Sequence, residues 1–257
     1  MPTDQKSKDW YEKNAEKYAT HTRNPNESVY HAYYEKPAMY SLLPNLKGKT
    51  VLSIGCGSGE DSHHLKQEGA LKSIGIDLSK NLIKIASETY QDCEFKVMDM
   101  ENLDFPDSSF DFAYSSLAIH YVEDWVRVFR EVFRILKPNS FFIFSCHHPL
   151  AYGVDKSQTD THHISKIEIS KDKITKEKTV IGSYLTKTKN VDALGKDTVN
   201  TWNMSINDIS EASSEAGFLI ERIMEPKPLE SMKEINPVTY GVLSEIPYFI
   251  IFKLIKL

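Results

Sequence analysis

Apolar residues in this chain come in short runs of strand length, and between the runs they recur every three or four positions, the period of a helix with one buried face. Val51, Leu52 and Ile54 form one such run, which ends in a turn carrying Gly55, Gly57 and Gly59. Leu65 then falls in a polar, helix-compatible stretch that closes near Gly69. Further runs at 72–76, 94–98, 110–115 and 141–145 are interleaved with helical patterns at 80–89 and 125–136. Ser79 ahead of Leu82, Ile83, Ile85 and Ala86 reads as an N-cap before an apolar face. Val126, Phe129, Val132, Phe133 and Leu136 have core spacing in the second helix. This alternation predicts a parallel sheet with right-handed crossovers.

The flanks read differently. Trp10, Tyr11, Ala15, Tyr18 and Ala19 fall near one face of a helix over about 10–20, and a second helix is expected over 28–43. After Tyr152 the composition shifts to Lys, Thr and Ser around β-branched runs at 166–169 and 179–185, which read as short antiparallel strands or a flap. A helix over 205–216 is closed by Gly217, and 218–224 and 248–257 read as the last two strands. The expected organisation is a single domain over 1–257. Within it, 1–47 form an N-terminal helical segment, 48–149 the alternating core, 150–203 an insertion and 204–257 the remainder of the core.

Composition narrows the function classes. The formal net charge of −5 argues against nucleic acid as the main partner, because phosphate binding needs a basic surface. The run Lys166, Lys171, Lys173, Lys176 and Lys178 is read as a solvated face. Cys56, Cys93 and Cys146 are too scattered for a disulfide framework or a zinc ribbon, which fits a reducing compartment. The first residues lack the apolar core of a signal peptide and no apolar run approaches membrane-spanning length, so a cytoplasmic protein without membrane partners is expected, as monomer or homodimer. His63-His64, His147-His148 and His162-His163 invite a metal reading, but neighbouring residues point apart and no third ligand follows at suitable spacing, so no metal site is expected.

The candidate chemistry sits at the strand ends. Glycines at a strand-to-helix turn let backbone N–H groups meet a ligand. Asp77, at the end of the next strand and about twenty residues on, is placed to accept from vicinal ribose hydroxyls. The dinucleotide pattern is not satisfied, since its third glycine falls at Glu60, which disfavours an NAD-dependent oxidoreductase. His120 and Tyr121 lie just beyond the carboxyl end of the 110–115 strand, where ligands enter open α/β sheets. His120 is the candidate base, with packing within its loop as the alternative.

Val51-Leu52-Ser53-Ile54-Gly55-Cys56-Gly57-Ser58-Gly59 resembles the first motif of the class I S-adenosylmethionine-dependent methyltransferases, in particular the small-molecule enzymes. The resemblance continues through Asp77-Leu78-Ser79, Val97-Met98-Asp99-Met100, Phe110 to Ser115 with Ala118 to Tyr121, and Arg134 to Pro138. Ser53 stands where the family usually has an acidic residue, and Asn139-Ser140 where it has a glycine pair; Asn tolerates the left-handed conformation of such a turn. The resemblance implies a Rossmann-like, doubly wound α/β fold, with a mostly parallel seven-stranded sheet whose last strand is antiparallel. It implies a helical lid for 1–47, cofactor binding for the 48–149 core and a β-rich substrate or cap insertion over 150–203. It implies S-adenosyl-L-methionine as cofactor, S-adenosyl-L-homocysteine as product and a small-molecule acceptor, with a non-catalytic cofactor-binding module as the alternative. The implied cofactor residues are Tyr18, Gly55, Cys56, Gly57, Gly59, Asp77, Leu78, Asp99, Met100 and Ser115. Asp99 would accept from the adenine amino group, although an ordinary strand-end turn also explains it. Tyr11, Tyr121, His147 and Trp202 are the candidates for the acceptor pocket. Methyl transfer is an in-line displacement of an activated group, so alignment carries most of it and a base is optional.

Overall fold

The computed structural model describes residues 4–152, 168–171, 178–181, 184–194 and 197–257. Its centre is a seven-stranded sheet built from β1 (Thr50–Ile54), β2 (Lys72–Asp77), β3 (Glu94–Val97), β4 (Phe110–Ser115), β5 (Leu136–His147), β10 (Leu219–Met224) and β11 (Phe249–Lys256), in the order β10-β11-β5-β4-β1-β2-β3. The first five strands run parallel, and β11 runs antiparallel to β5 and β10. Strand order reverses between β1 and β4, which opens a crevice at their carboxyl ends. The parallel sheet expected from the alternation and the doubly wound, Rossmann-like architecture implied by the resemblance are the ones observed.

Strand alternation divides the core. Leu52, Ile54, Ala113, Phe142 and Phe144 point to the face covered by α6 (Trp125–Ile135) and α8 (Ile206–Glu215). Val51, Phe112, Tyr114 and Ile143 point to the other face, against Met39 of α3 (Lys36–Tyr40) and Leu65 of α4 (Glu60–Gln67). Each fully buried side chain of this size stabilises the fold by about 1.5–3 kcal/mol. α5 (Lys80–Thr89) matches its expected span and is capped by Ser79, whose hydroxyl accepts from Leu82 N–H.

Several expectations need correction. The helix over 10–20 is two helices, α1 (Gln5–Lys13) and α2 (Ala15–Arg23), broken at Asn14, whose side-chain amide donates to Trp10 carbonyl and competes with the helix ladder. The helix over 28–43 resolves into a π-helical turn His31–Glu35 followed by α3. In α6 the inward face is Trp125, Val128, Phe129, Val132 and Ile135, while Val126 and Phe133 pack at its margin, Phe133 edge-on to Phe218. β5 starts at Leu136 and passes through Asn139 at φ 59°, the left-handed conformation that asparagine tolerates. A short helix α7 (Pro149–Tyr152) follows.

Beyond α7 the described residues form two hairpins: β6 (Glu168–Lys171) with β7 (Lys178–Ile181), and β8 (Thr188–Leu194) with β9 (Asp197–Asn203). Part of the 166–169 run, Lys173, Lys176, and His162-His163 lie outside the described residues. The β8–β9 hairpin falls in the insertion expected to be β-rich, whereas two helices, α9 (Met232–Ile235) and α10 (Pro237–Glu245), carry no clear periodic signal and are not among the expected elements. No helix among the described residues is long and apolar enough to cross a membrane.

Candidate functional site

The crevice at the carboxyl ends of β1, β2 and β4 is a cleft of about 680 Å³, its mouth included. Its floor is Gly55 and Gly57, then Asp77 to Ser79, and its roof is Ser7, Lys8 and Tyr11 of α1 with Tyr18 of α2. Apolar walls come from Ile76, Leu82, Met98 and Met100, and the remaining side from Ser116 to Ala118 with Tyr121.

The glycines are required sterically. Gly55 has φ +64°, and a Cβ there would lie 2.3 Å from the Ala118 Cβ. Gly57 has φ +55°, and a Cβ would reach to 3.3 Å from the Tyr18 ring, filling the gap between floor and roof. Gly59 serves differently. Its φ of +95° starts α4, and a Cβ would meet Ala86 and Phe95 at 2.9 Å, so it is buried in packing rather than on the cleft wall. Cys56 is likewise off the wall: its N–H donates to Ile76 carbonyl, tying the turn to β2, and burial pushes its thiol well up.

Asp77 is the organising acid. One carboxylate oxygen accepts from Gly57 N–H at 3.0 Å and the other from Ser79 N–H at 2.9 Å, so the acid braces the glycine turn while each oxygen retains a lone pair. Burial raises its pKa above the ordinary carboxylate value, and the backbone donors oppose that shift.

The roof is aromatic. The Tyr11 ring stands edge-on to Tyr18, with centroids 5.2 Å apart, and to Tyr121 at 5.5 Å, while the Tyr11 and Tyr121 hydroxyls are 2.6 Å apart. Burial holds the Tyr11 and Tyr18 phenols well above their usual pKa and pushes Tyr121 up to about 12, so all three are neutral at physiological pH. Glu12 of α1 accepts from Ser79 hydroxyl at 2.6 Å, Arg23 of α2 donates to Glu60 at 2.7 Å, and the Ser7 hydroxyl pairs with the Asn200 backbone of β9. These ties fix the roof over the floor.

Of the residues expected to hold a cofactor, Tyr18, Gly55, Gly57, Asp77, Leu78 and Met100 line the cleft. Asp99 does not: it accepts from Glu101 N–H within its turn, and its neighbours Met98 and Met100 form the wall. Ser115 is also off the wall. Its side chain points into the sheet and donates to Ile54 carbonyl, and the wall begins one residue later.

On the acceptor side, Tyr11 and Tyr121 are in the cleft, whereas His120, His147 and Trp202 are not among its walls. His120 is 1% exposed, stacked on His147 at 3.8 Å, with an Nδ1 that has no hydrogen-bond partner. Burial, then the His147 charge, depress its pKa well below 6.5, so it is a neutral imidazole behind Tyr121. Trp202 lies on β9 beneath the ammonium groups of Lys187 and Lys189. Ser7, Lys8, Ile76, Ser79, Leu82, Met98 and Ser116 to Ala118 are cleft residues that sequence reasoning did not single out. Ser79, Met98 and Ala118 lie within recognised motifs without an assigned part in the site, whereas Ser7 and Lys8 carry no local signal.

The histidine pairs part ways in the fold. His63 bonds Asp92 at 3.0 Å, His64 stacks on Tyr40, and His148 meets Glu225 at 3.0 Å. Among the described residues one trio, His63, Asp92 and Cys93, has ligand-type atoms within 4.8 Å of one another; burial and Asp92 push the Cys93 thiol up to about 12, which opposes the thiolate a metal needs.

The cleft suits a nucleoside carrying a charged amino-acid tail: a carboxylate for vicinal hydroxyls, apolar walls for a flat base, and glycines that leave room only if their Cβ is absent. Comparison with known proteins agrees. Residues 52–144 match the family described as a methyltransferase domain. The chain is 40% identical over 124 residues to an uncharacterized protein of Haemophilus influenzae, covering 45% of this chain and 49% of that one. It is 38% identical over 121 residues to phosphoethanolamine N-methyltransferase 1 of Arabidopsis thaliana, covering 44% of this chain and 25% of that one. The matched part therefore spans half or less of the length of these relatives. A solved S-adenosylmethionine-dependent methyltransferase from Mesorhizobium loti superposes with a TM-score of 0.71 at 27% identity, over 89% of this chain and 99% of that one. Sheet order, glycine turn and strand-end acid define a nucleoside-cofactor fold of the class I type. Over residues 52–144 the chain matches the methyltransferase-domain family, and its fold is that of the class I S-adenosylmethionine-dependent methyltransferases.

Proposed function

We propose that this protein transfers a methyl group from S-adenosylmethionine to a small organic acceptor. The observation that carries the reading is the Asp77 carboxylate braced by Gly57 and Ser79 backbone N–H groups, directly under the Tyr11 and Tyr18 roof. Asp77 would hold the ribose hydroxyls through charge-assisted hydrogen bonds, with Leu78, Met98 and Met100 against the adenine and Asp99 near its amino group. Gly55, Gly57 and Tyr18 would flank the methionine end. The bound cofactor supplies a cationic, activated methyl group.

What the chain adds is alignment and exclusion of water. Tyr11 and Tyr121 are neutral phenols whose paired hydroxyls can orient an acceptor, and their rings offer electron-rich faces to positive charge. His120 supports this wall from behind, so an acceptor that arrives with its nucleophilic lone pair free fits the site better than one needing a strong base. The name of the Arabidopsis relative makes amines the first acceptors to try. Titration with S-adenosylhomocysteine, followed by labelled-methyl transfer to a metabolite extract, tests both halves of the reading. Absence of saturable binding would sink it; binding without transfer to any metabolite would favour a cofactor-binding module without turnover.

A further inference from the structure

Glu35 closes the π-helical turn and is completely buried, although neither sheet nor cleft requires a charge there. π-turns inside helices are uncommon and frequently mark functional sites. One oxygen of Glu35 accepts from two hydroxyls, Ser116 at 2.9 Å and Ser145 at 2.5 Å, while the other has no hydrogen-bond partner. Its cationic neighbours supply at most a long ion pair and no hydrogen bond. His31 Nδ1 stands 3.7 Å from the unpartnered oxygen, and the Lys36 ammonium is paired with Asp61 at 3.0 Å. A buried carboxyl group so incompletely satisfied is a costly way to fill space.

Its partners explain it. Ser116, Leu117 and Ala118 form one wall of the cleft. Leu117 has φ +47°, a conformation that a leucine holds only where its surroundings impose it, and its N–H donates to the same Ser145 hydroxyl at 2.9 Å. Ala118 fills the position that a Cβ on Gly55 would occupy. Glu35 therefore reaches from a separate element, through Ser116 and Ser145, to the segment that closes on the glycine turn. We propose that Glu35 is a positioning residue for the cofactor cleft: it holds the Ser116 to Ala118 segment in its left-handed turn against Gly55. The inference rests on the reading of this cleft as the S-adenosylmethionine site.

Three variants of the full chain test it: Glu35→Ala, Glu35→Gln and Ser145→Ala. S-adenosylhomocysteine affinity is measured by calorimetry, folding by thermal melting, and the hold on the turn by amide hydrogen exchange at Leu117. Glu35→Ala should weaken binding about tenfold and speed Leu117 exchange about tenfold, the loss expected when two buried hydrogen bonds are removed. Glu35→Gln keeps a carbonyl oxygen for both serine hydroxyls and should bind close to wild type. Ser145→Ala, a smaller change that tests the same link if Glu35→Ala does not fold, should also speed Leu117 exchange and weaken binding. A folded Glu35→Ala or Ser145→Ala protein with wild-type affinity and wild-type Leu117 protection overturns the proposal, as does a Glu35→Gln protein as impaired as Glu35→Ala. Failure of the wild-type protein to bind would refute the cofactor reading instead, so the two failures are distinguishable.

Discussion

The two halves of the cleft are built on different principles. The floor comes from adjacent segments of the parallel sheet, where Gly55, Gly57 and Asp77 lie at the ends of neighbouring strands and Gly57 N–H donates to the Asp77 carboxylate. The proposed acceptor side is lined by α1 and the loop after β4 and backed by the end of β5 and the β8–β9 hairpin, which meet only because the chain folds back on itself. A site made from strand ends inherits its geometry from the sheet. One made from docked segments can change partner and shape while the sheet stays the same, which is where acceptor choice can diverge among relatives that share a cofactor.

The sharpest way to break the floor is Gly55→Val. It combines a left-handed backbone with a Cβ position 2.3 Å from Ala118 and should abolish detectable S-adenosylhomocysteine binding, a loss of about a hundredfold or more. Calorimetry on the folded fraction checks it, and retained affinity would mean that the turn does not face the ligand. Asp77→Ala comes next. Loss of charge-assisted hydrogen bonds worth ~1.5–3 kcal/mol should lower affinity about tenfold or more, with Asp77→Asn losing less. Because burial raises the Asp77 pKa and hydroxyl donors favour the ionised form, affinity should also fall as pH drops through that raised value, at higher pH than an ordinary aspartate would give. Wild-type affinity in Asp77→Ala would place the ribose elsewhere.

This contrast also decides what was legible in the sequence. Strands, crossover helices and the glycine-acid pair are local patterns, and each could be read from residues within one supersecondary unit. Ser115 missed the wall by one residue because its alternation within β4 turns it into the sheet, where Ile54 carbonyl accepts its hydroxyl. Trp202, expected at the acceptor pocket, is a strand residue whose neighbours Thr201 and Asn203 are buried while its own ring meets two lysines. Ser7 and Lys8 gain their place through the docking of α1, on β9 by a contact between residues 193 apart and on Ser79 through Glu12. Glu35 gave no signal either, since a glutamate in a helical stretch reads as surface until its burial is seen.

A third prediction concerns the wall behind the acceptor side. His120 is neutral in the fold, with its pKa depressed by burial from an unfolded value of 6.5, so its contribution to stability is complete above that pH and is lost progressively as pH falls toward the folded value. His148 shifts the same way through burial, with Glu225 opposing. Within that window each such group costs about 1.4 kcal/mol per pH unit. Melting between pH 7.5 and 5.5 should show stability falling with acid, a range chosen to bracket the value of 6.5. His120→Phe, which keeps a ring against His147, should flatten that slope. An unchanged slope would mean that His120 titrates freely and is reachable from solvent, restoring it as a base.

The smallest effect is the most informative about the acceptor side. Tyr11→Phe removes one hydroxyl from the 2.6 Å pair and leaves the ring, its edge-on contacts with Tyr18 and Tyr121 and the roof ties at Glu12 and Arg23 in place. No hydrogen bond from Tyr11 to the glycine turn or to Asp77 exists to be lost, so S-adenosylhomocysteine affinity should stay near wild type. Tyr121 is left with one partner fewer, and the hydroxyl that orients an acceptor is gone, a change of about 0.5–1.5 kcal/mol or a few-fold in turnover. With an acceptor found by labelled-methyl transfer, the variant should lower turnover at saturating cofactor while the cofactor titration is unchanged. If instead cofactor affinity falls as far as in Asp77→Ala, the tyrosine pair belongs to the cofactor half, and the division of the cleft into a sheet-built floor and a docked acceptor side has to be redrawn with Tyr11 on the other side of the line.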